Sequence, residues 1–510
     1  MGKYFSGERK VKMKKFLTLL LAALLLLSLL ASCTPAEEQS KAESNGDSTV
    51  STEESKENSL WKYDPQIPEG FDFTNSEGKA EIVFLTTGGN VEAYHDTAIG
   101  AEEMNDELIN DAVYTRNAFI EDVLGVKVVC EYDLDVDQKA TTILSSNIDQ
   151  YDVILPFMNE ATPLVLSGYF VPLNSVETLQ LEKEWWDQRA NEQLSIGNKL
   201  YFTTGDISML DNDCTQAIMF NLDVVTNFDL QNPYTLVKNG TWTMDALREM
   251  ARTVTAEGAS AYTDMWGFHI NNNGATGLYI SGGQRLVTKD EDDLPVIGIT
   301  SENASNVVDK IKELMTDKSC TIIIEDYNAA SQADGFYNCY RAAAWAVAEG
   351  KALFRYMSMS DTLRLADYKA CQYGILPSPK FSADQDGYAS LVSTLAVPAV
   401  CIPNTNDDYE RIGVILDAMA AKAKEVITSA YYDVLYQFRV APDDESREIL
   451  DIIFAERTFD LGVIFSTSWN NVGSIVNNAR TGDWTSLVDS NKDAIASSIQ
   501  KTVDAFEAME

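Results

Sequence analysis

Histidine is the scarcest chemistry in this chain: only His95 and His269 occur in 510 residues, far apart and with no companion motif. That count excludes a histidine metal cluster, and a Ser-His-Asp triad would have to use one of the two. Cations are scarce as well, with 39 Lys and Arg against 78 Asp and Glu and a formal net charge of −39. Phosphates need Lys and Arg to displace their counterions, so the balance argues against nucleic acid, and equally against polybasic membrane-surface binding. There is no P-loop, no G-x-S-x-G elbow and no G-x-G-x-x-G after a strand. Cys130, Cys214, Cys320, Cys339, Cys371 and Cys401 form no Cys-x-x-Cys and no zinc spacing. Their apolar neighbours, as in Val128-Val129-Cys130, point to buried free thiols. Asp133-x-Asp135-x-Asp137 opens like a calcium loop, but Gln138 and Leu144 stand where that loop needs Gly and a bidentate Glu. No metal or cofactor is expected.

What is present begins with a leader. Lys12, Lys14 and Lys15 precede an apolar run from Phe16 to Leu30 that ends in small residues, as a secretory signal does. The run is shorter than the roughly 20 residues that span a bilayer. Leu30-Ala31-Ser32-Cys33 resembles the bacterial lipobox, whose cysteine is lipidated and becomes the mature N-terminus. Residues 1–32 are therefore expected to be a lipoprotein signal peptide. Cys33 would anchor the protein to the outside of the cell membrane. Residues 34–60 are Ser, Glu and Asn with almost nothing apolar, which cannot offset the entropy of ordering. Residues 33–78 are expected to form a flexible tether.

From Lys79 onward, strand and helix patterns alternate. Ala80–Leu85, Val126–Tyr132 and Tyr151–Leu155 read as strands, with a helix ending at Gly125 and another over Gln138–Ser145. This order predicts a parallel sheet with covered faces and ligand loops at the carboxyl ends of its strands, here 86–90 and 156–160. Trp266–Ile270 and Gly350–Phe354 read as later strands. Val307–Met315, Glu410–Val426, Ser446–Phe454 and Lys492–Phe506 read as helices. The chain is too long for one core, so an α/β protein of two lobes is expected.

The stretch Gly197–Ala251 is the most informative. Leu200–Phe202 reads as a short strand before the Gly205-Asp206 turn, and Gln216–Asn221 as a second. A helix, a loop with Asn232-Pro233-Tyr234, and a helix capped by Thr243 follow. The order G-x-x-x-Y-x-x-x-G-D, apolar strand ending in Phe220-Asn221, N-P-Y and G-x-W-T-x-D resembles the extracellular solute-binding proteins of carbohydrate ABC importers. The resemblance implies a periplasmic-binding-protein-like fold with a central ligand cleft, hinge crossings and C-terminal helices. It also implies a monomer without catalytic residues that delivers a sugar, such as an oligosaccharide, to a membrane permease. Lobe 1 would comprise 79–216 with 396–440, and lobe 2 would comprise 217–395 with 441–510.

Carried over from the maltodextrin-binding branch, ligand groups are expected from Gly88, Gly89 and Asn90, then Asn159 and Glu160, and Asp206. In the second lobe they are expected from Trp266, Asn271, Tyr279, Tyr356 and Met359, and from Trp469 near the C-terminus. Phe157-Met158 departs from that branch, which has a stacking Trp and an acidic residue there. Flat aromatics with a few amides and carboxylates suit a sugar, whose C–H face is ringed by hydroxyls. His269 reads as a buried, satisfied histidine. Asp211-Asn212-Asp213 reads as either a solvated turn or part of the site. Trp185-Trp186 on a helix would send one ring to the core and leave the other free to line the cleft. A binding protein for a peptide or other solute shares the architecture, and a surface glycan-degrading enzyme stands as a further alternative.

Overall fold

β1 (Glu81–Thr87) is the middle strand of the first sheet, flanked in parallel by β2 (Lys127–Asp133) and β3 (Val153–Leu155). The computed structural model describes residues 60–87, 99–365, 368, 372–437 and 444–509. Residues 1–59, including Cys33, and Gly88, Gly89, Asn90, His95 and Cys371 lie outside the described residues. The helix Leu108–Leu124 covers one face of this sheet and stops where Gly125 adopts a left-handed φ of 71°. Against it lies the long helix Tyr409–Gln437. The returning segment runs antiparallel beside β3, with Ile154 and Cys401 exchanging both backbone hydrogen bonds at 3.0 and 3.1 Å.

The second sheet joins β4 (Gln216–Asn221) and β5 (Trp266–Ile270) to later strands. A hairpin, β6 (Val287–Lys289) with β7 (Pro295–Ile297), stands apart from it. Next come β8 (Thr321–Ile323), β9 (Ala352–Ser358) and β10 (Tyr373–Pro377). The sheet order is β10-β4-β9-β5-β8. β5, β8 and β9 are mutually parallel where they pair, whereas β4 is antiparallel to both neighbours. A small ladder, β11 (Ser390–Leu391) with β12 (Arg457–Thr458), lies beside the segment that precedes β4.

The sequence signatures have local physical causes. Asn221 ends β4 because its side chain accepts from Val224 N at 2.9 Å, capping the next helix, and donates to Val347 O at 2.7 Å. Thr243 caps Met244–Val254 by accepting from Ala246 N at 3.2 Å. Trp242, fully buried, donates to Pro377 O at 2.9 Å, so G-x-W-T docks on the Pro377–Lys380 segment. Asn232-Pro233-Tyr234 opens a further short helix, Pro233–Lys238, rather than a loop, since Pro at the first helical position leaves no donor unmet.

Three expectations are corrected. Leu200–Phe202 joins no ladder; it passes buried into a single bridge between Thr203 and Val400. Residues 60–78 are no tether, because Leu60–Glu510 forms one compact unit. Trp61 meets Phe119 edge-on at 4.8 Å, Ile67 and Phe73 pack on the core, and Gln180 donates to Pro65 O at 2.8 Å. Trp185 and Trp186 are both buried, in a turn rather than a helix, and both indole N–H groups donate to Asp417 Oδ1 at 3.1 and 2.6 Å. Neither ring lines a cleft.

Candidate functional site

The carboxyl ends of the strands gather the polar groups that sequence pointed to. After β3, Asn159 and Glu160 open the helix Met158–Leu166. The Glu160 carboxylate accepts from Phe157 N at 3.3 Å, and burial raises its pKa, whereas Asn159 Oδ1 is buried without a hydrogen-bond partner. After β5, Asn271 Oδ1 and Asn272 Oδ1 are likewise buried and unpartnered. Amide oxygens sealed from water are costly unless something donates to them.

The aromatic expectations fare differently. Trp266 is the first residue of β5, so it lies at the amino end of the strand, about 16 Å from Asn271 at the strand's rise. It is buried and donates to Ala261 O at 2.9 Å. Trp469 is fully buried, stacked on Phe465 at 4.7 Å with Nε1 donating to Thr502 Oγ1 at 2.9 Å. Both are core residues here rather than open faces. Met359 is also fully buried. Tyr356 donates to Gln216 Oε1 under the helix Gly274–Ser281, whose Gly277 leaves room for the phenol. Tyr279 sits on that helix, tilted against Trp484 at 6.0 Å, with its buried hydroxyl unpartnered. Asp206 is held by Lys424 at 3.3 Å and by the Thr428 hydroxyl, both on the long helix.

A polar seam that sequence reasoning missed runs along β5 and β9. Arg355 and His269 are register partners on these strands, 1% and 0% exposed. Arg355 Nη2 donates to Asp361 at 2.6 Å; Arg364 bonds the other Asp361 oxygen and lies over the Tyr340 ring at 5.5 Å. Glu325, just past β8, accepts from Asn272 N at 3.0 and 3.1 Å and from the Tyr340 hydroxyl at 3.4 Å. His269 Nδ1 meets the Tyr327 hydroxyl at 3.1 Å. Burial, aided by Arg355, pushes His269 down to about 3, so it is neutral at neutral pH. Burial also lowers Arg355 to about 10, which leaves it charged. A single charge inside Ala-Leu-Phe-Arg-Tyr-Met, an otherwise apolar strand, was the signal that could have marked it.

Beside the segment leading into β4 lies a second buried cluster. Asp211, Asn212 and Asp213 are buried in the short helix Leu210–Cys214, so they are no solvated turn. Arg457 Nη1 lies 2.8 Å from both Asp211 Oδ2 and Asn212 Oδ1. Its Nη2 is 2.8 Å from Asp187 Oδ2, an ion pair whose angle does not make a hydrogen bond. Tyr431 donates to Asp213 at 3.0 Å. Burial, against the opposing pull of Arg457, pushes Asp211 up to about 7. Next to this cluster Thr215 bridges Val392, so two chain segments run side by side between the sheets. Cys130 is half-buried, Cys214, Cys320, Cys339 and Cys401 are buried, and none of these five forms a disulfide. Among the described residues, no group of His, Cys, Asp or Glu could hold a metal ion, and no helix is long and apolar enough to cross a membrane.

No protein-family model and no curated protein matches the sequence. Solved structures do match the fold. A cyclo/maltodextrin-binding protein complexed with maltotetraose aligns with a TM-score of 0.51 at 14% identity, covering 86% of this chain and 100% of that one. An ABC substrate-binding protein from Listeria monocytogenes, in complex with cycloalternan, gives 0.51 at 14% identity over 82% and 99%. An ABC transporter solute-binding protein from Thermotoga lettingae TMO, bound with α-D-tagatose, gives 0.52 at 14% identity over 83% and 100%. The chain therefore has the two-lobed α/β fold of ABC solute-binding proteins, as its motif order implied. The three named neighbours are binding proteins.

Proposed function

We propose that this protein is the extracytoplasmic receptor of an ABC importer, binding a carbohydrate between its two lobes. The supporting observation is the placement of unpartnered buried amide oxygens. Asn159 follows a strand of one sheet, and Asn271 and Asn272 follow a strand of the other. A sugar offers hydroxyl donors along its rim, and bridging the two sets would supply the missing hydrogen bonds. In this reading lobe 1 is 79–216 with 396–440, joined by the packed segment 60–78, and lobe 2 is 217–395 with 441–510. Ligand contacts come from Asn159, Glu160, Asn271 and Asn272, with Gly88, Gly89 and Asn90 expected to add to them. Closure about the crossing segments buries the sugar, and the gain of contacts in the closed form drives it. Cys33 carries the lipid anchor, and the loaded protein hands its sugar to a membrane permease. No step of this function breaks a bond in the ligand.

The test is thermal unfolding of the purified chain against mono- and oligosaccharides, with chromatography of the recovered sugar. Binding to the folded state alone stabilises it by about 2.7 kcal/mol at a hundredfold excess over Kd. A raised midpoint with one sugar family and intact sugar afterwards is the expected result. Shortened sugar would mean catalysis, and no shift with any carbohydrate would move the ligand to another solute class.

A further inference from the structure

Donors outnumber acceptors at one point of the seam. Arg355 Nε and Nη1 are buried and unpartnered, since Asp361 takes only Nη2. His269 Nε2, on the neighbouring strand, is buried and unpartnered too. In the tautomer in which the Tyr327 hydroxyl donates to Nδ1, His269 Nε2 adds another donor. Arg355 and Arg364 share the single carboxylate of Asp361. Asn271 Oδ1 and Asn272 Oδ1, unsatisfied acceptors, follow His269 on the same strand, and Glu325 is committed to Asn272 N. These five lie where His269 of β5 pairs with Arg355 in mid-β9 and on the two residues that follow β5.

A guanidinium with one edge bonded and the other bare is shaped for an oxyanion, which it can hold on two parallel N–H groups. The adjoining amide oxygens require donors, which hydroxyls supply. We propose that this cluster is an anion subsite of the sugar site, in which Arg355 Nε and Nη1 bind a carboxylate. Asn271 and Asn272 accept from hydroxyls beside it, so the preferred carbohydrate is acidic, such as a uronic-acid oligosaccharide. The inference rests on the carbohydrate reading above. The same nitrogens would also take a free carboxylate such as acetate, so the two sources are tested separately.

Calorimetry on the purified full chain compares a uronic-acid oligosaccharide, its neutral counterpart of equal length and linkage, and sodium acetate at matched ionic strength. The acidic sugar is expected to bind at least about tenfold tighter than the neutral one, the scale of a hydrogen-bonded charge. R355K keeps the charge and removes the fork. It is expected to erase that preference, read as the ratio of the two sugars' affinities for the variant, with circular dichroism confirming the fold. Equal affinity for both sugars in the unmutated chain overturns the proposal without touching carbohydrate binding. Acetate binding that needs Arg355, with no preference among sugars, overturns the acidic-sugar assignment and gives the subsite to free anions. Acetate binding without any sugar binding removes the carbohydrate reading itself. No response to acetate or to the acidic sugar means that the seam holds water alone, which also overturns it.

Discussion

Removing the indole of Trp469 is expected to cost the fold rather than merely a ligand contact. The ring is fully buried, its face lies on Phe465 at 4.7 Å, and Nε1 donates to Thr502 Oγ1 at 2.9 Å. Truncating a buried Trp to Ala typically costs about 3–5 kcal/mol through lost transfer energy and the cavity left behind. Thr502, itself 2% exposed, would in addition lose its hydrogen-bond donor in a place water does not reach. Trp469→Phe separates the two contributions. It keeps an aromatic ring against Phe465 and removes the Nε1 donor, for about 1–2 kcal/mol. Urea unfolding followed by far-ultraviolet circular dichroism reads both, with W469A shifting the midpoint far more than W469F. Carbohydrate affinity measured below the transition is expected to change little in W469F. A W469A protein as stable as the unmutated chain but unable to bind sugar would refute the core assignment and return Trp469 to the ligand.

Three further outcomes follow from buried groups. Arg457→Met leaves Asp187 and Asp211 buried without their cation, which costs about 3–5 kcal/mol. The loss, read by urea unfolding, is expected to be largest at pH 8 and smaller at pH 5, where Asp211 takes a proton; equal loss at both would refute the role of Asp211. In the unmutated chain, burial pushes Asp211 up to about 7 and Asp417 and Asp460 up to about 6 from an ordinary 3.8. The folded state thus holds protons that the unfolded state has released, so these groups stabilise below 3.8 and lose that contribution as pH rises through about 6 to 7. The thermal midpoint is expected to be higher at pH 5 than at pH 8, and a flat profile would contradict this. Gly267→Ala puts a Cβ into the backbone of Ala251 on the helix over β5 and is expected to cost about 3 kcal/mol or more, checked by the same unfolding assay.

Much of the fold was legible because its signals are local. A cap needs one side chain and a backbone N–H three residues away, so Thr243 could be read directly, whereas Asn221 was read only as a strand end. Gly125 could be read as a stop because a left-handed φ favours glycine. The strand at Gln216–Asn221 was found to the residue by its apolar run and its Asn. The candidate site was less legible. Asn159, Glu160 and Asn271 lie at strand ends as expected, but a Trp looks the same in sequence whether its ring is sealed or open. That is why Trp469 and Trp266 read as ligand faces.

By itself the sequence determined the fold class: strands and helices alternate along the chain in the manner of the α/β fold that the comparison matches. That alternation follows from composition and from near neighbours along the chain. Tertiary structure alone decided which polar groups are left wanting a partner. Arg355 and His269 meet only because β9 pairs with β5 in one register. Asp417 collects two indoles only because a helix from the far end of the chain crosses the Trp185-Trp186 turn. Pairing and burial between distant segments depend on the whole packed core, and no local stretch encodes them.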